Sequence, residues 1–107
     1  MLIRSQDRDR IVNINNVDKI NIYQYRITEE KCSWNIECPC ENDVIGRYSS
    51  RGKALEVLTL ISIAYEEYEN CKYHGTARDW IKSVFKMPRD EDIVITDESE
   101  VVISGNR

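Results

Sequence analysis

The chain has 107 residues, a length that fits one domain with a single hydrophobic core. Hydrophobic residues make up 41% and charged residues 32% of it, which are globular values and argue against wholesale disorder. The 15 lysines and arginines against 19 aspartates and glutamates give a net charge of −4. That balance argues against a protein that binds nucleic acid in bulk, because such proteins need an excess of cations facing phosphate. The single histidine, His74, excludes most acid–base and metal chemistry built on imidazole.

The N-terminal sequence MLIRSQDRDR lacks the apolar stretch of a signal peptide, and no segment approaches the roughly 20 apolar residues that span a bilayer. We therefore expect a soluble cytoplasmic protein with reduced cysteines and no membrane contact. Its charge is divided unevenly. Residues 1–53 carry nine basic and eight acidic side chains, whereas residues 54–107 carry six and eleven. The second half is therefore acidic.

Residues 1–48 have the pattern of short strands. Apolar segments separated by polar turns recur at 2–5, 11–14, 17–27, 34–38 and 44–48. The connections between them are too short for crossover helices, so we expect them to form an antiparallel β-meander.

The period then changes to that of an amphipathic helix over about residues 50–70, with Ser49 or Ser50 as its N-cap. Its apolar stripe consists of Ala54, Val57, Leu58, Ile61, Tyr65 and Tyr68. Leu60 and Ile63 widen this surface beyond what one sheet can cover. They predict an interface in a homo-oligomer, and the alternative is that a returning C-terminal segment covers them.

The C-terminal segment 82–104 predicts a short strand or a hairpin. Residues 83–87 alternate like a strand returning to the sheet edge, but a brief helix over residues 76–84 is an alternative. Residues 93–96 and 101–104 are separated by DESE and predict a β-hairpin or a swapped arm. The whole chain 1–107 is thus expected to be a single α+β domain, with one long helix packed on the meander.

The segment VIGRYSSRGKA resembles a phosphate-binding loop between a strand and a helix. Five residues separate Gly46 from Gly52, and Ala54 stands where the magnesium-binding hydroxyl should be, so we exclude an ATPase or GTPase. A weaker prediction survives, because the first turn of a helix presents free N–H groups that suit an anion. The candidate anion-binding residues are Arg47, Tyr48, Ser49, Ser50, Arg51 and Lys53. The alternative is an ordinary N-cap flanked by solvated basic residues.

Other residues could complete such a site if the ligand is a nucleotide. Tyr48 or Trp34 could stack on the base, and Arg4 or Arg26 could neutralise charge, although these aromatic rings could equally belong to the core. We expect no enzyme activity, no cofactor and no metal. The spacing of Cys38, Cys40, Cys71 and His74 nevertheless leaves a structural zinc site as an alternative.

Three blocks of the chain, IRSQDRDRIVNINNV, GRYSSRGKALEVLTLISIAYEEYE and VFKMPRDEDI, resemble a family of small phage and prophage proteins of Firmicutes. Those proteins share an Ile-Arg-Ser-Gln-Asp start, a Gly-x-Tyr-Ser-Ser helix start and a Val-Phe-x-Met-Pro end. The resemblance carries no catalytic residues. It implies an accessory protein in the cytoplasm of the host cell that binds a host component, as counter-defence proteins do.

Two functions follow as hypotheses. The first is a non-catalytic, oligomeric protein that sequesters a small anionic ligand, such as a cyclic nucleotide that serves as an immune signal. The second is an acidic protein–protein interaction module that inhibits a host protein, such as a CRISPR effector. The two differ in what they require of the surface. Sequestration needs a pocket with converging arginines, whereas docking needs an exposed acidic face.

Overall fold

A computed structural model describes residues 1–39, 43–74 and 84–95 of the chain. The strands are β1 (Leu2–Arg4), β2 (Ile11–Asn13), β3 (Asn21–Arg26), β4 (Cys32–Cys38), β5 (Asp43–Tyr48) and β6 (Val84–Lys86), and the helix is α1 (Arg51–His74). Short 3-10 turns occupy Ile14–Asn16 and Asp90–Asp92. This mixture of two sheets and one long helix confirms the predicted α+β class.

The meander sheet has the strand order β3-β4-β5 with antiparallel neighbours, as the sequence predicts, and α1 packs on it. Ile22 lies opposite Ile36, and Ile36 lies opposite Gly46, which places them on one face of the sheet. The register between β4 and β5 shifts after Ile36, so that Ile45 is an extra residue in β5. Ile45 is buried there, and the bulge therefore adds an apolar side chain to the core.

The first two strands form a second sheet and are not part of the meander, which differs from the single meander expected over residues 1–48. This sheet has the order β2-β1-β6, with β1 antiparallel to β2 and parallel to β6. The strand predicted near residues 83–87 is confirmed, and it returns to the edge of β1. It was not predictable as the partner of β1, because the two strands lie far apart in the sequence.

One hydrophobic core joins both sheets and the helix. Its fully buried members include Ile3 from β1, Ile36 from β4, Val57 from α1 and Met87 after β6. Gly46 is required where these elements meet. A Cβ atom at this position would lie 2.9 Å from the Tyr48 ring and 3.0 Å from the Met87 methyl carbon, too close for a tetrahedral carbon.

The loop between β1 and β2 closes the outer edge of β5. The Gln6 side-chain amide accepts a hydrogen bond from the Arg47 backbone N–H (2.8 Å) and donates one to the Arg47 carbonyl (3.0 Å). The Gln6 backbone N–H donates to the Ile45 carbonyl (2.8 Å), and the Arg10 guanidinium donates to the Val44 carbonyl (2.7 Å). These backbone groups are therefore satisfied inside the fold and are not offered to another strand.

The segment after β6 differs from the predicted hairpin. Residues 93–95 lie outside any strand, and Ile93 and Ile95 instead pack against the core. A 3-10 turn over Asp90–Asp92 precedes them. The alternative helix over residues 76–84 and the second hairpin strand over residues 101–104 fall on residues outside those described, apart from Val84, which is in β6.

Candidate functional site

The start of α1 is capped as the sequence predicts. The Ser50 hydroxyl accepts a hydrogen bond from the Lys53 backbone N–H (3.2 Å), and the Ser50 carbonyl accepts one from the Ala54 N–H (3.2 Å). These two bonds are those of an N-cap serine, and they satisfy one of the free N–H groups of the first turn. The helix thus begins where the strand pattern of β5 ends.

Asp90 occupies the position in front of this helix where a bound anion was predicted. Its carboxylate accepts a hydrogen bond from the Ser49 backbone N–H (2.7 Å) and lies 3.3 Å from the Lys53 ammonium. The same ammonium donates to the Asp90 backbone carbonyl (3.0 Å). Burial raises the pKa of Asp90, but the hydrogen bonds from Ser49 and Lys53 outweigh this and hold the pKa below its ordinary value. The protein therefore supplies its own anion to the helix start.

Tyr48 has a structural role in place of the predicted stacking role. Its side chain is only 2% exposed, and its hydroxyl donates a hydrogen bond to the Pro88 carbonyl (2.7 Å). Burial, followed by the nearby charge of Asp90, raises the pKa of Tyr48. Because the ring is enclosed, it offers no face to a nucleotide base, and the predicted stacking by Tyr48 is corrected.

The remaining predicted anion-binding residues do not converge. Arg47 and Arg51 are exposed, and Arg47 lies on the face of β5 opposite to that of its neighbour Tyr48. Arg26 is exposed at the end of β3, opposite Cys32, while Trp34 lies opposite Tyr48 and is partly buried against the core. Arg4 is in the other sheet, where its guanidinium donates to the Arg8 carbonyl. The structure thus brings together Ser49, Ser50 and Lys53, and distributes the arginines over separate surfaces.

The outer face of α1 carries a second candidate surface. Ile63, one of the two predicted interface residues, is 47% exposed, whereas Leu60 is partly buried and packs against the core. Glu66 and Glu67 follow Ile63 at helical spacings of three and four, and Glu56 lies two turns earlier. All three glutamates are exposed. We call Glu56, Ile63, Glu66 and Glu67 the acidic helix face.

No cation in the described part of the molecule forms an ion pair with the acidic helix face. Between residues 54 and 71 the sequence contains no lysine or arginine, so α1 has no i,i+4 partner for these glutamates there. None of the three forms an ion pair with another described residue. The like charges of Glu66 and Glu67 are therefore left to solvent or to a partner.

A groove of about 510 Å³ adjoins the acidic helix face. It lies between α1 and the segment before β3, and Asp18, Lys19 and Glu66 are the charged residues of its lining. Its apolar lining comes from Ile14, Val17, Ile20, Leu58, Ile61 and Tyr65. An acidic face beside an apolar groove can bind a partner that combines positive charge with an apolar side chain.

The alternative zinc site depends on residues that are mostly outside those described. Cys38 is fully buried in the core at the end of β4, while Cys40 and the side chains of Cys71 and His74 are not described. Over the described ranges, no three histidine, cysteine, aspartate or glutamate side chains are grouped closely enough to hold a metal ion.

Comparison of the chain with protein-family models, curated proteins and solved structures gives no match. In the described part of the chain, α1 included, no helix has the length and apolar character needed to cross a membrane. The function must therefore be argued from the arrangement of the chain's own residues.

The sequence did not reveal the role of Asp90 at the start of α1 or that of Gln6 at the edge of β5. In the sequence Asp90 is only one of several acids in the C-terminal half, because no local pattern links it to a helix that begins at residue 51. Gln6 lies in a polar turn whose composition predicts the turn and not its contacts with β5. Both act across the fold, and their partners are set by tertiary structure.

Proposed function

We propose that this protein is a non-catalytic interaction module, whose acidic helix face docks onto a basic surface of a partner protein. The observation that carries this proposal is the exposed Ile63 on the same helix face as Glu56, Glu66 and Glu67, none of which forms an ion pair with a described cation. In the phage context implied by the sequence resemblance, the partner is a host protein that the module occludes.

The acidic helix face combines an exposed apolar side chain with charged ones, as protein-binding surfaces do. A half-exposed isoleucine gains free energy when a partner covers it, and the carboxylates around it favour a partner rich in lysine and arginine. Uncompensated charges of one sign also steer a partner of opposite charge towards the surface, an effect that salt screens. The adjoining groove supports the proposal, because it can receive an apolar side chain of the same partner.

Sequestration of a small anion, the other function expected from the sequence, ranks second. The predicted helix-start site already holds Asp90, so a phosphate would have to displace a carboxylate from Ser49 and Lys53. Arg4, Arg26 and Arg47 stand on separate surfaces and do not form one cation cluster there. Calorimetric titration with cyclic dinucleotides, cyclic trinucleotides and cyclised ADP-ribose tests this alternative, and binding of any of them would favour it.

The docking proposal is tested by comparing variants as baits in a host lysate. Ile63→Asp removes the apolar centre, and the double variant E66K/E67K reverses the charge of the acidic helix face. Val94→Asp and Glu91→Lys are matched controls, because Val94 is 83% exposed, Glu91 is exposed, and neither residue belongs to the acidic helix face. We expect to recover a partner protein that still binds to both control variants but not to Ile63→Asp or E66K/E67K. Its binding to the wild-type chain should weaken as the salt concentration rises. If no protein recovered from the lysate requires the acidic helix face for its binding, the proposal is contradicted.

A further inference from the structure

The outer edge of β3 bounds the meander sheet on the side away from β5. β3 pairs with β4 along Asn21–Arg26, and no other strand among residues 1–39, 43–74 and 84–95 pairs with it. The opposite edge of the same sheet is closed by Gln6 and Arg10. A bare strand edge presents backbone N–H and C=O groups that form a template for another strand.

The hydrogen bonds of the β3–β4 hairpin determine which backbone groups point outward. The Ile27 N–H donates to the Lys31 carbonyl (2.8 Å), so the backbone N–H of Ile27 points towards the chain that leads into β4. Positions that bond to the neighbouring strand alternate along an antiparallel ladder, so Tyr25 and Tyr23 also bond to β4. The N–H and C=O groups of the intervening residues therefore face away from β4. These residues are Ile22, Gln24 and Arg26.

We propose that two copies of the chain pair through their β3 strands, antiparallel and about a two-fold axis at Gln24. In this register Gln24 bonds to the partner's Gln24, and Ile22 bonds to the partner's Arg26. All three outward residues then find a partner, because their spacing of two is symmetric about Gln24. The two meanders become one continuous six-stranded sheet.

The side chains of β3 suit this occupant. Tyr23 and Tyr25 are 37% and 47% exposed, and the register places Tyr23 directly opposite the partner's Tyr25 in a pair without backbone hydrogen bonds, where side chains are closest. Ile27, 60% exposed, lies opposite the partner's Asn21.

β3 also lacks the features with which proteins keep strand edges apart. Its sequence NIYQYR contains no proline, glycine or lysine, and its pairing with β4 is regular over six residues without a bulge. A single charge, Arg26, lies within it, and in the proposed register it faces the partner's Ile22 and not another arginine. An edge that is long, regular and aromatic favours a second copy of itself.

This interface is separate from the acidic helix face and does not depend on the proposed function. The sequence placed self-association at Leu60 and Ile63 on α1, whereas the strand geometry places it on β3. Ile63→Asp should therefore leave the dimer intact, and the failure of either proposal can be recognised without the other.

The first test uses sedimentation of the full-length chain over the micromolar range. Gln24→Pro removes the outward N–H, and because Gln24 does not hydrogen-bond to β4 through its backbone, the hairpin keeps its bonds. Gln24→Ala is the matched control, since it keeps the N–H and removes the same side chain. We expect the wild-type chain to dimerise, Q24P to weaken dimerisation by about tenfold or more, and Q24A by less than about threefold.

A second pair of variants tests the register and covers the case in which Q24P fails to fold. In Y23K/Y25K, lysines lie opposite the partner's lysines and the dimer should dissociate. In Y23E/Y25K, each glutamate lies opposite the partner's lysine and the dimer should be restored. A wild-type chain that remains monomeric overturns the proposal, whether the edge stays open or residues 96–107 of the same chain cover it. A dimer that persists in Y23K/Y25K also overturns it.

Discussion

The side chain of Gln6 pairs with the backbone of Arg47 as a neighbouring strand would. Its amide oxygen accepts from the Arg47 N–H (2.8 Å) and its amide nitrogen donates to the Arg47 carbonyl (3.0 Å). The same nitrogen lies 3.2 Å from the Pro88 carbonyl, so one side chain links the β1–β2 loop, β5 and the segment after β6. A residue in a surface turn thereby joins three parts of the chain that are distant in sequence.

The substitution Gln6→Glu tests this linkage. The carboxylate in Q6E keeps an acceptor for the Arg47 N–H but has no N–H to give to the Arg47 and Pro88 carbonyls. We expect the free energy of unfolding to fall by about 1–3 kcal/mol, the usual effect of leaving such carbonyls facing another acceptor. Urea denaturation measures it. Asn16→Asp, the same amide-to-carboxylate change at an exposed position, should change stability by less than about 0.5 kcal/mol, and equal effects at both positions would rule the linkage out.

Asp90 should give the protein a characteristic response to acid. A carboxylate whose pKa is lower in the folded than in the unfolded chain stabilises the fold above its ordinary pKa, here 3.8, and this contribution is lost as the pH falls through the folded pKa. Asp90→Asn should therefore reduce stability by about 1 kcal/mol at neutral pH, since the pair with Lys53 is partly exposed.

The difference in stability between wild type and D90N should become smaller as the pH falls below 3.8, because the side chains at position 90 are then neutral in both proteins. Thermal unfolding across a pH series measures it. The neighbouring exposed carboxylate provides the control, and Glu91→Gln should leave the curve nearly unchanged. A difference between wild type and D90N that is constant across the pH range would show that Asp90 acts by packing and not by charge.

Asp90→Ala should uncover the anion-binding capacity of the helix start. Without the carboxylate, the Ser49 N–H loses its acceptor and the Lys53 ammonium keeps only the Asp90 backbone carbonyl. We expect phosphate to raise the melting temperature of D90A more than that of the wild type, in solutions matched for ionic strength with chloride. Equal responses of the two proteins would indicate that the site binds no anion other than Asp90.

Substitution by alanine should change the stability of the fold in opposite directions at Gly46 in β5 and at Gly52 in α1. Gly46→Ala inserts a methyl group 2.9 Å from the Tyr48 ring and should destabilise the fold by about 1–3 kcal/mol, the range for overpacking a core. In Gly52→Ala the new carbon has no neighbour closer than 3.9 Å, and alanine has the higher helix propensity. That variant should be more stable by about 0.5–1 kcal/mol. Chemical denaturation of the two variants measures the change in the free energy of unfolding at each position. A G46A variant more stable than the wild type would contradict the close packing at β5.

The parts of the fold with a local cause were predictable from sequence. The apolar period of α1 and the serine before it predicted the helix and its cap, and Ser50 fulfils that role. Alternation predicted the three strands of the meander and the strand near residue 85. Each of these signals lies within a few residues of the structure that it specifies.

The candidate site was less predictable because it depends on contacts between distant residues. Lys53 and Asp90 are far apart in sequence, and no pattern near either one identifies the other. The strand pattern around Tyr48 is compatible with either a buried or an exposed side chain. Only the hydrogen bond from its hydroxyl to the Pro88 carbonyl, across the fold, shows that it belongs to the core. Ile63 is the exception, because the excess of apolar residues on α1 indicated an exposed position before the structure did.

The pairing of β1 with β6 has a consequence for how the molecule folds. β1 is the central strand of its sheet, and one of its two neighbours comes from the far end of the described chain. During synthesis, β3, β4, β5 and α1 all emerge before β6, and their mutual contacts are short in sequence. We expect the meander and helix to form first, and the second sheet to close in a later and slower phase that awaits residues 84–86.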